Sequence, residues 1–289
     1  MIEKAKNNLI AGVLWMALST LLYVIQEALI KSLTSELHPF NIVFFRNLFG
    51  LLFMLPILIK RRFEPLRVIN WKLMFLRAVF GFCAMLSYIY ALKFESFLTA
   101  GTVSLLVPLV AGIFAPYFLN EKSSLYTWAM LGLAFIGALF VVYSQGNLQV
   151  AWSYGVVFAF VSVIFNAGIF VLVKILTRTE SNITISSWMC ITQLLLSLPL
   201  AIGHWRWPNL STLAYLALTG ILAAVAQIAL AQALRENDAH SMIPSSFLRL
   251  IWIFLLGIFF FQETPHFFGI AGAFIIVFSN TAMLSKVKK

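Results

Sequence analysis

Apolar residues run along this chain in stretches about twenty long, broken by short polar or basic connections. A hydrocarbon core about 30 Å thick is crossed by roughly 20 residues of helix. The spacing predicts ten spans, the first five being Leu9–Ile30, Phe40–Ile59, Trp71–Leu92, Phe97–Leu119 and Leu125–Tyr143. The second five are Tyr154–Leu176, Ile183–Ile202, Leu213–Leu234, Met242–Phe261 and Phe267–Leu284. The connections leave no room for a soluble domain. The first apolar run exceeds the roughly 7–15 residues of a signal-peptide core, and no small-x-small cleavage site follows it, so it reads as a retained span.

The polar punctuation repeats. Ala91 to Glu121 returns as Ala233 to Glu263, a shift of 142 at both ends. Gly12 and Gly155, Ser19 and Ser162, Lys31 and Lys174, and Pro56 and Pro199 match at a shift of 143. Markers in one register, with a single-residue offset, indicate an internal duplication. The units are a first five-helix repeat over residues 1–148 and a second over 149–289. Each has an odd number of spans, so the second lies inverted relative to the first. Secondary transporters recurrently use this plan, with the binding site near the bilayer midplane. The expected fold is therefore all-α and integral to the membrane, with ten transmembrane helices as two inverted five-helix repeats.

Composition agrees: 62% of residues are hydrophobic, only 10% are charged, and mean hydropathy is +0.95. The net charge of +10 comes from short basic clusters between spans, which suits an anionic membrane face better than nucleic acid. Fourteen Lys and Arg fall on one side, against Lys31, Lys93 and Arg206 on the other. The positive-inside rule then puts both termini in the cytoplasm. Cys83 and Cys190 lie within apolar runs and read as neither disulfide nor metal ligand. There is no Walker motif and no His-Glu-x-x-His, so neither ATP drive nor metalloprotease chemistry is encoded. No cofactor and no metal site is expected.

Phe-Phe-Arg at 44–46, Phe-Leu-Arg at 75–77 and Tyr90-Ala-Leu precede the junctions Phe-Leu-Asn-Glu-Lys-Ser-Ser and Phe-Phe-Gln-Glu-Thr-Pro after spans four and nine. With these motifs on ten spans in two halves, the chain resembles the drug/metabolite transporter superfamily, in its EamA-type members. The first half looks most like the branch of S-adenosylmethionine and other metabolite carriers. The resemblance implies a bacterial inner-membrane carrier working by alternating access, with a cavity bounded by spans one, three, four, six, eight and nine.

Charge at bilayer depth costs roughly 2.5–3.5 kcal/mol even on lenient scales, so each intramembrane charge needs a reason. Arg46 and Arg77 lie about 9 Å inside their spans, within reach of snorkelling, and read as interface anchors or helix-to-helix bonds. Arg249 lies deeper, on a polar and aromatic face with Ser241, Ser245 and Trp252. Glu27 shares a stripe with Ser19 and Tyr23, its alternative being a local pair with Lys31. Asn166 is the repeat counterpart of Tyr23. Tyr88 extends the stripe of Arg77, Gly81 and Ala84, and Gln227 sits among Gly220, Ala224 and Ala231, where close packing is the alternative. Pro56, Pro108, Pro116 and Pro199 mark possible bends, and Glu121 and Glu263 read as helix caps.

The expected function is secondary active transport of a small polar metabolite, an amino acid or amino-acid-like compound, with protons or a counter-transported metabolite as drive. Glu27 and Arg249 are expected at opposite poles of one central cavity, lined also by Tyr23, Tyr88, Asn166, Gln227 and Trp252. Arg suits a substrate carboxylate, and Glu suits an amine or a shuttled proton. Alternatives on the same fold are carriers of S-adenosylmethionine or of drugs and cations. From other classes come a non-transporting membrane sensor and an intramembrane enzyme; the latter lacks a nucleophile with a base at depth.

Overall fold

The computed structural model describes residues 2–107, 153–236, 248–264 and 266–287, with scattered positions between 110 and 140. The described residues form helices and no strand. In chain order these are α1 (Ile2–Leu33), α2 (Pro39–Lys60), a 3-10 turn (Glu64–Leu66), α3 (Trp71–Phe94) and α4 (Phe97–Val103), which continues into a second 3-10 turn (Ser104–Leu106). Then follow α5 (Tyr154–Leu176), α6 (Asn182–Ile202), α7 (Leu210–Glu236), α8 (Leu248–Phe261) and α9 (Phe267–Val287). Six segments are long and apolar enough to cross a membrane: Ile10–Leu33, Pro39–Lys60, Trp71–Phe94, Tyr154–Leu176, Asn182–Ile202 and Leu210–Arg235. Phe97–Leu106, Leu248–Phe261 and Phe267–Ser279 are shorter apolar helices. Much of the expected fifth span, most of the second half of the fourth, and the start of the ninth lie outside the described residues, as do Pro108, Pro116, Glu121, Ser241 and Ser245.

Helix starts are set by local chemistry. Ser96, Ser153 and Ser181 each accept a hydrogen bond from the backbone N–H three residues on, at 3.1, 3.2 and 3.0 Å, meeting a donor the helix cannot satisfy itself. Glu263 caps a helix, though not the one that follows it. Its carboxylate accepts from the N–H groups of Phe97 and Leu98 at 2.8 and 2.7 Å, at the positive end of α4. Pro56 and Pro199 sit inside α2 and α6, which run on through them.

The two halves interleave. α1 packs on α7 and α3 on α5; α2 lies against α6 and α7, and α4 against α8. Side chains such as Leu195, Phe259, Phe260 and Phe274 are exposed over the outside of the bundle, the surface a lipid-facing helix presents. Lipid offers no hydrophobic drive for one helix to join another, so close packing and interhelical hydrogen bonds must hold the bundle. Both are present. A Cβ placed on Gly220 would stand 2.5 Å from the Arg46 carbonyl and 2.6 Å from the Gly50 nitrogen, so α7 crosses α2 backbone to backbone. Ser19 Oγ donates to the Ala226 carbonyl at 2.9 Å, and Ser162 Oγ donates to the Ala84 carbonyl at 3.0 Å. Lys31 Nζ donates to the carbonyls of Leu92 (2.6 Å) and Glu95 (2.5 Å), and Lys174 Nζ to that of Leu234 (2.8 Å). A cation on the last carbonyls of a helix also meets its negative end.

Candidate functional site

Seven helices, α1, α2, α3 and α5 to α8, and the 3-10 turn after α4 surround a cavity of about 210 Å³. Along α1 it is lined from Met16 to Ile30, about 21 Å of helix at 1.5 Å per residue. Ser19, Tyr23 and Glu27 face it from one stripe of α1, and Arg77, Gly81, Ala84 and Tyr88 from one stripe of α3. Arg46 enters from α2, Gln193 from α6, Gln227 from α7 and Arg249 from α8.

Glu27 and Arg249 meet. Arg249 Nη2 donates to both Glu27 oxygens, at 2.8 and 2.6 Å, and its Nε donates to Ser104 Oγ at 3.0 Å. Tyr88 adds its hydroxyl hydrogen to Glu27 Oε2 at 3.0 Å. The expectation of opposite poles is therefore corrected: these two charges close on each other across 222 residues of sequence. Tertiary packing of α1 against α8 decides this, and nothing local to either helix could. Nor does Lys31 pair with Glu27, since its ammonium holds the end of α3 instead.

Arg46 and Arg77 resolve in favour of the helix-to-helix bond over the interface anchor. Neither reaches an interface: the residues are 4% and 1% exposed and both line the cavity. Each donates to a glutamine of the second half, Arg46 Nη1 to Gln193 Oε1 at 3.4 Å and Arg77 Nη2 to Gln227 Oε1 at 2.9 Å. Tyr23 Oη donates to the same Gln227 oxygen at 3.0 Å. Arg46, Met189 and Gln193 thereby add spans two and seven to the walls that the family resemblance implied.

Of the residues expected at the site, Glu27, Arg249, Tyr23, Asn166, Tyr88 and Gln227 line this one cavity. Asn166 Nδ2 bonds back to the Ser162 carbonyl and hydroxyl, both at 3.0 Å. Trp252 does not line it. It lies one turn beyond Arg249, packed against the main core cluster, with its indole nitrogen buried and unpartnered. Arg46, Arg77 and Gln193 line the cavity too and were not among the residues expected there. The signal for Arg46 was present, a charge within an apolar span, but depth along a helix does not say which face it occupies. Among the described residues no three His, Cys, Asp or Glu side chains group as metal ligands.

Comparison with known proteins gives a consistent picture. The sequence profile of the EamA-like transporter family matches residues 10–143 and again residues 153–284. The S-adenosylmethionine uptake transporter of Rickettsia prowazekii is 26% identical over 285 residues, covering 99% of this chain and 96% of that protein. The pseudopaline exporter CntI of Pseudomonas aeruginosa is 25% identical, covering 96% and 97%. Solute carrier family 35 member G1 of Mus musculus is 26% identical, covering 93% and 77%. A solved crystal structure superposes with a TM-score of 0.68 over 99% of both chains at 18% identity, a likeness of fold alone.

Proposed function

The chain belongs to the EamA-like transporter family, and on that premise we propose that it is a secondary carrier of an amino acid or amino-acid-like metabolite. It is a multi-pass membrane transporter and not an enzyme. The observation that carries the substrate reading is the cavity itself. Both halves of the chain build it, and it gathers Glu27, Arg46, Arg77 and Arg249 inside an otherwise apolar bundle. Charge at that depth is costly and marks a pathway for a polar solute.

In this reading ten spans form two inverted five-helix repeats, over 1–148 and 149–289, and the cavity opens to each face of a bacterial inner membrane in turn. Both termini lie in the cytoplasm. The drive is a proton or a counter-transported metabolite. S-adenosylmethionine is a second reading, favoured by the names of the Rickettsia relatives, because its methionyl end carries an amine and a carboxylate. A simple organic cation is a poorer fit to a cavity with three arginines and one glutamate.

The test is uptake by the purified chain in proteoliposomes loaded with unlabelled metabolites. Saturable, ATP-independent accumulation of a labelled amino acid or of S-adenosylmethionine is expected. Inertness across that whole panel, under both a proton gradient and exchange conditions, overturns the reading. Reporter fusions after Lys289 settle the topology, and a periplasmic signal there sinks the ten-span plan.

A further inference from the structure

We infer that the cavity recognises its solute by a carboxylate seated between Arg46 and Arg77, and not at Arg249. This rests on the carrier reading and adds to it the group recognised and the place that recognises it. Arg249 is already committed to Glu27 and Ser104. Arg46 and Arg77 are both buried, yet each donates only to the neutral oxygen of a glutamine. No carboxylate of the described residues pairs with either.

The donors left over are specific. Arg46 Nε, Arg77 Nε, Arg77 Nη1 and Gln227 Nε2 are buried without a hydrogen-bond partner. The orientation of Gln227 is fixed, because Arg77 and Tyr23 both donate to its oxygen, which leaves its amide hydrogens as donors. Four orphaned donors on two cations and an amide are costly in a protein interior unless something accepts from them. A carboxylate supplies two oxygens with about four lone-pair sites and suits the planar fork of arginine.

Room for it comes from the cavity of about 210 Å³ that both arginines line. A Cβ at Gly81 would stand 2.6 Å from Gln193 Nε2 and 3.5 Å from Arg77 Nη1, so those two atoms lie within about 6 Å of each other. Glycine lets the Gln193 amide close on α3 beside the guanidinium. A further buried atom of the cavity wall without a partner, Gln26 Oε1, is an acceptor. It complements the ammonium of a zwitterion.

Thermal unfolding of the purified full chain in detergent tests this with matched probes. They are amino acids against their amides, S-adenosylmethionine against its decarboxylated analogue, and inorganic phosphate. At least one acid should raise the melting temperature while its carboxyl-free partner does not. Arg46→Gln and Arg77→Gln should weaken that acid's apparent affinity about 10- to 100-fold, as loss of a charged hydrogen bond does. Their unliganded melting temperatures should equal or exceed that of the parent, which shows that they fold. Equal stabilisation by acid and amide overturns the site, as does a full shift in both variants, stabilisation by phosphate alone, or no shift with any carboxylate. Flux in proteoliposomes that ignores the carboxylate removes this site and leaves the carrier. A carboxylate-dependent shift with no flux removes the carrier and leaves the site.

Discussion

Four bonds that brace the helix frame form two matched pairs, whereas the charges around the cavity have no like partner across the repeat. Ser19 bonds Ala226 and Ser162 bonds Ala84; Lys31 bonds Leu92 and Lys174 bonds Leu234. Donors and acceptors alike are repeat counterparts, at shifts of 143 and 142. At the cavity the same shifts pair Glu27 with Phe170, Arg46 with Met189, Gln227 with Met85 and Arg249 with Val107. All eight line it. The duplicated backbone thus brings equivalent positions to the cavity, while in each of these four pairs one side chain is charged or an amide and the other is apolar. A frame bond to a backbone carbonyl depends only on the donor and on the helix path, so it survives divergence around it. Cavity positions carry no such constraint.

The largest effect should come from breaking the frame where it has no slack. Gly220→Leu drives a branched side chain into the backbone of α2, and loss of the folded protein is expected by size-exclusion profile and thermal unfolding. Gly220→Ala should be partly tolerated, at an overpacking cost of about 1–3 kcal/mol. A Gly220→Leu protein with parental stability would remove the backbone crossing from the picture.

Next come the paired and unpaired charges of the cavity. Glu27→Gln leaves Arg249 buried without its counter-charge and should cost about 3–5 kcal/mol, with transport abolished. Adding Arg249→Met should recover most of that stability and none of the transport. Arg77→Gln should cost no stability at all. A large loss for Arg77→Gln comparable to that of Glu27→Gln would show that Arg77 has a counter-charge.

Much of the frame was legible in advance because its cues are local. Span length and polar punctuation placed α5 at Tyr154–Leu176, where the structure has it, and the repeat register picked out Ser19, Ser162, Lys31 and Lys174. α1 runs past its predicted apolar core of Leu9–Ile30, because a helix need not stop at the edge of the hydrocarbon. The stripes of Glu27 and Tyr88 were legible too, since helical periodicity assigns a face. What each face meets was not. Arg46 and Arg77 lie only six residues from the ends of their spans, and their burial depends on α6 and α7 closing over them. Trp252 failed for the converse reason: its helical spacing from Arg249 was right, and α8 packs so that it meets the core.

The doubled latch offers a finer test. Lys31→Met and Lys174→Met should each lose about 1.5–3 kcal/mol, the worth of a charged hydrogen bond. Measured by thermal unfolding, the two losses should resemble each other. A large cost on one side with none on the other would show that the symmetry of contacts is not one of energies.

The smallest effect should arise at a contact between the halves that has no repeat copy. The His38 and His204 rings stack at 4.0 Å, and His38 Nδ1 accepts from the Phe40 N–H at 3.4 Å, at the start of α2. Burial, then the neighbouring His204 and Lys93, holds the pKa of His38 below the usual 6.5. A group with a depressed folded-state pKa contributes stability above its unfolded pKa and loses it as pH falls through the folded value. A slight drop in melting temperature is therefore expected below about pH 6.5, and His38→Asn, which keeps the cap, should flatten it. An identical pH profile for that variant would rule His38 out as the source.

Two guanidiniums without a counter-charge have an electrical consequence. An interior-negative membrane opposes entry of an anion by about 2.3 kcal/mol per charge for each 100 mV. At an effective dielectric constant of about 20, one guanidinium about 4 Å away attracts that anion by roughly 4 kcal/mol. Arg46 and Arg77 together would outweigh a 100 mV potential, so occupancy of such a site would be set by the protein's own field more than by the membrane voltage. Turnover is different: a bound carboxylate cancels only one of two fixed charges, and any step that moves this wall through the field would carry the remaining one. Imposed potassium diffusion potentials would then change the rate of transport while leaving the affinity for the solute nearly constant.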